Sequence, residues 1–388
     1  MTVRLIWSFF TLFTIQFLSG QVPVDTKATR KTRNLLVNLH HIAEHGFLLG
    51  HEDAQAYGVG WRAEPGRSDV KSITGSFPAI HGWDLGRRLD ATMNIDSVRF
   101  DHMVAWIKDT YRRRGINTVS WHLDNLTTGG DSWDKRPSVA DLLPGGTKHA
   151  DFLQQLDLLA AFFDQCKVNG VRVPIIFRPW HEHNGQWFWW GKGNCTEEEY
   201  IALYRFTVDY LRNERKVHQL LFCFAPDRGG FKLNKKAAEH YLYGYPGDDY
   251  VDILGLDNYT DVGKHTNPLN RKKQRENFIR SLEVITQVAK DRGKVAALTE
   301  TGLEGVKKDQ WFTQYLLDPI KANRQSIRIA WVLLWRNANN RHHYVAYPGH
   351  PSEADFQAFA NDPRVLQESD LQNPYRKGLM FPPEKVSE

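Results

Sequence analysis

Cysteine is nearly missing: Cys166, Cys195 and Cys223 are the only three in a chain of 388 residues. An odd, sparse set without a Cys-x-x-Cys pair excludes a disulfide framework and a thiolate zinc site. Cys166 and Cys223 fall in apolar patterns and read as packing residues, so stability must come from one large core. Neither sign of charge is in excess. Fifty basic residues against 45 acidic ones leave a formal +5, too little to mark a nucleic-acid or membrane partner. The basic runs Arg112-Arg113-Arg114 and Arg271-Lys272-Lys273 sit at a helix end and a helix start and read as solvated surface. No glycine-rich phosphate loop follows the first expected strand, which argues against a doubly wound nucleotide-binding sheet. Internal repeats, low-complexity tracts and clear linkers are also lacking.

Long hydrophobic runs are lacking too. The apolar stretch at residues 5–15 follows Arg4, ends in Leu18-Ser19-Gly20-Gln21, and is too short for a comfortable membrane span. It has the build of a secretory signal, with cleavage expected near Gly20 although Leu18 then departs from the small-residue preference. The expectation is a signal peptide at residues 1–20, one domain at residues 21–388, and an exported, soluble protein, periplasmic or secreted. No Cys follows the leader, so a bacterial lipoprotein anchor is not expected.

Tryptophan, in contrast, is abundant, with 13 residues. Four of them fall in Arg178-Pro179-Trp180-His181-Glu182-His183-Asn184-Gly185-Gln186-Trp187-Phe188-Trp189-Trp190-Gly191. An apolar, β-branched run at residues 171–177 precedes this stretch and reads as a buried strand. Thr196-Glu197-Glu198-Glu199 follows as a capping box, opening a helix expected to reach about residue 217. The motif therefore lies where a strand ends, the usual seat of chemistry in α/β folds. Buried core would need a partner for each of its polar groups. An open, aromatic-floored cleft explains the mixture better, because indole faces pack on sugar C–H faces while His, Asn and Arg bond hydroxyls.

Eight strand-like segments alternate with helical ones, at residues 47–51, 78–84, 116–122, 171–177, 220–225, 251–257, 295–300 and 327–335. Helices are expected at 32–46, 97–114, 150–168, 196–217, 274–290, 309–322 and 353–360. Near-continuous apolar strands ending in polar or aromatic residues describe a (β/α)8 barrel, an α/β fold. Glycoside chemistry needs two carboxylates. Glu182 is one, and Glu300, closing the apolar strand Ala296-Ala297-Leu298-Thr299 before a glycine turn, is the best second. Glu304 falls outside the strand and reads as surface. Asp84, Asp124, Asp227 and Asp257 also stand near strand ends, where they could hold a hydroxyl or orient another side chain. A metal-dependent alternative through His51, Glu52 and Asp53 lacks a helical His-Glu-x-x-His pattern.

These residues resemble glycoside hydrolase family 26, best known for β-mannanases. The resemblance rests on residues 178–191 and Thr299-Glu300-Thr301-Gly302, with Trp121-His122, Asp257-Asn258-Tyr259, Trp335-Arg336 and Gly50-His51-Glu52-Asp53 with Tyr57-Gly58. It spans nearly the whole mature chain. It implies a retaining enzyme on a (β/α)8 barrel, with Glu182 as acid/base, Glu300 as nucleophile, β-mannan poly- and oligosaccharides as partners, and no cofactor or metal. A monomer without a membrane span or a nucleic-acid partner is expected. The resemblance also implies that Tyr259 donates to the nucleophile and that His122 stands near the acid/base. Trp335 is expected as the stacking floor of the −1 sugar and Trp187 as a +1 platform. Strand alternation puts Arg178, Trp180 and Glu182 on one face, from which Arg178 could reach the nucleophile, and turns His181 away to brace the loop. His51, Trp83 and Arg336 are weaker candidates for sugar contacts. His183 receives no role.

Overall fold

The computed structural model describes residues 22–323 and 325–378; the expected signal peptide lies outside them. Eight parallel strands form a closed ring: β1 (Phe47–Glu52), β2 (Ile80–Asp84), β3 (Ile116–Trp121), β4 (Ile175–Pro179), β5 (Leu220–Phe224), β6 (Ile253–Asn258), β7 (Val295–Thr301) and β8 (Trp331–Leu334). Each pairs with its neighbour in the chain, and β8 returns to β1 with Leu48 opposite Trp331 and His51 opposite Leu334. The expected (β/α)8 barrel is therefore the fold. A two-residue strand, β9 (Val365–Leu366), adds to the start of β1.

The inward side chains follow a period of two. Leu48, Ile80, Ile116, Ile176, Leu221, Ile253, Ala297 and Leu333 belong to one buried apolar cluster inside the ring. The outward set, including Leu49, Val119, Phe177, Phe222, Leu254 and Leu298, joins the larger cluster beneath the surrounding helices. Leu35, Leu36, Leu39 and Ile42 of the helix Arg30–His45 share the inner cluster, and that helix touches β1, β5 and β7. Strands so far apart on the ring are reached together only across its opening, so the helix plugs the N-terminal end. Each such side chain contributes roughly 1.5–3 kcal/mol by burial. No helix among the described residues is long and apolar enough to cross a membrane.

Several boundaries differ from the sequence expectation; the strand expected at 327–335, for one, forms only over Trp331–Leu334. Residues 171–172 pair with Lys167–Val168 in a small hairpin, and the barrel strand begins only at Ile175. Asn169 and Gly170 between them both have positive φ (49° and 76°), as a tight Asn-Gly hairpin turn requires. The following Pro174 supplies no N–H for a continuous ladder. The helix after the capping box is α-helical over Glu197–Asp209 and widens to a π-turn over Tyr210–Glu214. The helix expected at 309–322 starts as the π-helical Trp311–Leu317.

Candidate active site

On several strands the inward stripe turns from apolar to polar on the way to the C-terminal end. In β2 it runs Ile80, Gly82, Asp84; in β6 Ile253, Gly255, Asp257; in β4 Ile176 is followed by Arg178. Gly82 leaves room that a Cβ would fill, since that atom would fall 1.8 Å from an oxygen of Glu52. Strict alternation on β7 would turn Glu300 outward. A bulge prevents it: Leu256 pairs with Leu298, but Asp257 pairs with Glu300, leaving Thr299 as the extra residue. Both side chains then face the barrel mouth. Thr299 donates to Asp257 (2.6 Å), and Glu300 accepts from Tyr259 (2.9 Å) and from the Arg178 guanidinium. The second arm of Arg178 bonds Asp257 at 2.7 Å.

Glu182 reaches the same spot by another route. Trp180 and Glu182 both adopt the left-handed backbone region (φ 52° and 54°), uncommon for residues other than glycine. The conformation is held by Glu182 N–H donating to the Ala225 carbonyl (2.8 Å) and by the Tyr200 hydroxyl on the Trp180 carbonyl (2.9 Å). An oxygen of Glu182, one of Asp257 and one of Glu300 all lie within 4.8 Å of one another. Burial first, then the charges of Asp227, Asp257 and Glu300, push the Glu182 carboxyl well above the usual range; the Trp187 indole N–H, 2.8 Å away, pulls the other way. Asp227 itself is raised to about 6 by burial. Its backbone N–H and carbonyl are clamped by Asn184.

A polar chain runs beside this pair. Asp84 lies 2.9 Å from His122 Nδ1, and His122 Nε2 lies 3.1 Å from His181 Nε2. Burial lowers the His122 value, but the charge and hydrogen bond of Asp84, with Glu300, outweigh it and the net direction is upward. His181 goes well down, through burial and then Arg178, His122 and His183. Trp133, from the long loop after β3, stacks on His122 with ring centres 5.4 Å apart.

A cleft of about 1170 Å³ opens over these groups. Of the residues singled out in the sequence, Glu182, Glu300, His122, His181, Trp187, Tyr259 and Trp335 line it, while Arg178 lies just beneath. His181 thus faces the site rather than away from it, and Trp180 does not share the face of Arg178 and Glu182. Alternation stops at Pro179, where the backbone leaves the sheet. The aromatic floor is also smaller than expected. Trp180, Trp189 and Trp190 are fully buried and pack on one another and on Trp121, so only Trp187 of the four reaches the cleft. Trp83 is buried against Trp106, and Arg336 is held by Asp96 (2.8 Å) and Tyr57. His51 is buried away from the cleft. His183 stacks on Tyr200 and bonds the Tyr243 carbonyl, a bracing position. Glu304 is exposed at the cleft edge and bonds His342 (2.7 Å). The sequence reading missed Trp133 and Tyr344. The signal for Trp133 was a lone indole in a Gly/Asp-rich loop; Tyr344 carried none.

Among the described residues, two groups bring carboxylate or imidazole atoms close enough to hold a cation: Glu182/Asp257/Glu300, and His41/Glu44/His45 on the first helix. In the first, Arg178 already supplies positive charge to two of the three acids. The arrangement suits acid–base chemistry between two facing carboxyls.

The model of glycosyl hydrolase family 26 matches residues 24–341. A mannan endo-1,4-β-mannosidase of Bifidobacterium adolescentis is 33% identical over 364 residues, covering 89% of this chain and 35% of that relative. The chain thus spans about a third of that relative's length. Among solved structures, a family 26 β-mannanase of Bacteroides ovatus superimposes with a TM-score of 0.82 at 39% identity, covering 90% of this chain and 98% of that one. A modular endo-β-1,4-mannanase of Cellulomonas fimi gives 0.83 at 35% identity, covering 93% and 81%.

Proposed function

The chain belongs to glycosyl hydrolase family 26, and from that premise we propose that it cleaves β-1,4-mannosidic bonds within mannan, galactomannan or glucomannan by retaining double displacement. The observation that carries the reading is the carboxylate spacing: oxygens of Glu182 and Glu300 lie within 4.8 Å. Retaining glycosidases hold their two carboxyls about 5–5.5 Å apart, whereas inverting ones leave about 6.5–9.5 Å for a water. Glu300, presented by Arg178 and Tyr259, attacks the anomeric carbon and forms a glycosyl ester. Glu182, kept protonated by burial and by neighbouring acids, gives its proton to the departing glycosidic oxygen. It then takes a proton from the water that cleaves the ester. Trp187 and Trp335 offer faces for sugar rings, and His122 and His181, joined to each other and to Asp84, line the cleft beside the two glutamates.

The relatives' names support mannan as substrate and internal cutting as the mode. Purified protein tested side by side on galactomannan, β-1,3-xylan and mixed-linkage β-glucan decides the glycan. Rapid viscosity loss on galactomannan is the expected result, and steady mannobiose release without it would mean end attack. Preferential hydrolysis of either other polysaccharide would overturn the mannan assignment. The apolar stretch after Arg4 supports export, checked by N-terminal sequencing of protein recovered from the periplasm or medium.

A further inference from the structure

The loops after β6 and β7 give one wall of the cleft a charge that a neutral mannan does not need. Lys264 and His265 come from the first loop, Lys307 and Lys308 from the second, and all four line the cleft. The loops are packed together: the aliphatic stem of Lys308 lies about 3.0 Å from where a Cβ on Gly263 would stand. Lys264 acts on the charge of Asp227, beside Glu182, so the cationic wall extends to the catalytic pair. None of the three lysines forms an ion pair among the described residues. Apart from Asp227, the nearby acids are committed elsewhere. Glu304 is bonded to His342 (2.7 Å), Asp261 to Arg228 (2.8 Å), and Asp309 does not line the cleft.

A lysine ammonium is a strongly hydrated point charge, and three on one wall, none of them in an ion pair, give that wall a positive potential focused by the cleft. Neutral hydroxyls gain little from it; a carboxylate gains charge-assisted hydrogen bonds and faster encounter. We propose that Lys264, Lys307 and Lys308 form a binding site for a carboxylate on the substrate, so that the enzyme prefers mannan-type chains bearing uronic-acid branches. This rests on the mannan-hydrolase reading and refines it.

The test uses one galactomannan and the same polymer with its branch galactose oxidised at C6 to the uronate. At about 20 mM salt the kcat/KM of the whole protein should be roughly three- to tenfold higher on the oxidised polymer, from a few partly exposed charge pairs. Screening at about 0.5 M NaCl should bring that ratio close to one. So should the triple variant Lys264→Ala/Lys307→Ala/Lys308→Ala, while Lys307→Glu/Lys308→Glu should invert it. Equal or lower kcat/KM on the oxidised polymer at low salt, with galactomannan cleaved normally, overturns the carboxylate site and leaves the mannanase reading standing. No cleavage of unmodified galactomannan overturns that reading, and this one with it.

Discussion

At the N-terminal end of the barrel the inward side chains are Leu48, Ile80, Ile116, Ile176, Leu221 and Ile253, sealed by the helix Arg30–His45. Further along the same strands the inward positions hold Asp84, Arg178, Asp257 and Glu300, with His122 beyond β3. The inward side chains of the floor are apolar except for the indole N–H of Trp331, which is buried without a protein partner, so the floor stabilises chiefly through burial. The mouth holds buried charges that are tolerable only because each is paired: Arg178 with Asp257 and Glu300, Asp84 with His122. Glu182 and Glu52 are exceptions: neither is in an ion pair among the described residues, and burial with neighbouring acids pushes both carboxyls well above their usual range. One ring therefore carries stability at one end and chemistry at the other, and substitutions should separate the two.

The largest effect belongs to the mouth. Glu182→Gln and Glu300→Gln should each lower turnover of unactivated mannan by about 10³-fold or more, with Tm kept near that of the parent. An activated aryl mannoside should still glycosylate Glu182→Ala, because its leaving group needs little protonation, and should not react with Glu300→Ala; mass spectrometry of the intact protein reads both. Unchanged turnover in either glutamine variant would dissolve the contrast.

The mirror-image result is expected at the floor. Leu48→Ala or Ile176→Ala should cost about 2–5 kcal/mol in denaturant unfolding, with kcat of the folded protein altered less than about twofold. A large loss of kcat there would mean that floor and mouth are coupled rather than divided.

Asp84 tests the pairing rule. Its value is depressed below 3.8, so its stabilising contribution is present above that pH and lost as pH falls through the depressed value. His122 is raised above 6.5, so its contribution is complete below 6.5 and lost as pH rises through the raised value. Asp84→Asn should therefore be destabilised by about 1.5–3 kcal/mol, most between pH 3.8 and 6.5, with the gap narrowing at higher pH. Thermal melts across pH follow it.

The smallest and most discriminating changes concern the proton on Glu182. After burial, the Asp227 charge is the largest influence raising it, so Asp227→Asn should move the basic limb of the kcat/KM profile toward lower pH. The Trp187 N–H favours the charged carboxylate, so Trp187→Phe should move the same limb upward. Shifts of the same sign in both variants would contradict the assignment of Glu182 as the group seen in that limb.

Glu300 was legible because an apolar strand ends on it, and Glu182 because a strand runs into a polar, aromatic loop. Its neighbours were less so. The indoles of Trp187 and Trp189 are two residues apart in one motif, yet one reaches the cleft and the other is core. His181 was assigned to the wrong side because alternation was carried past Pro179, where the strand had ended. Trp133 and Tyr344 arrive on loops whose course depends on what they pack against, which no local period encodes.

What the chain determines by itself is whatever depends on near neighbours: eight near-continuous apolar runs, the capping box at Thr196, the apolar inward stripe and the polar residues closing it. Ring closure decided the rest. Placing residues 182 and 300 within reach of one sugar takes eight strands in register, a bulge at Thr299 that turns one glutamate inward, and two left-handed residues that bring the other back over the mouth. Distances between residues more than a hundred positions apart are properties of the closed barrel, since no local rule of side-chain direction extends across its strands.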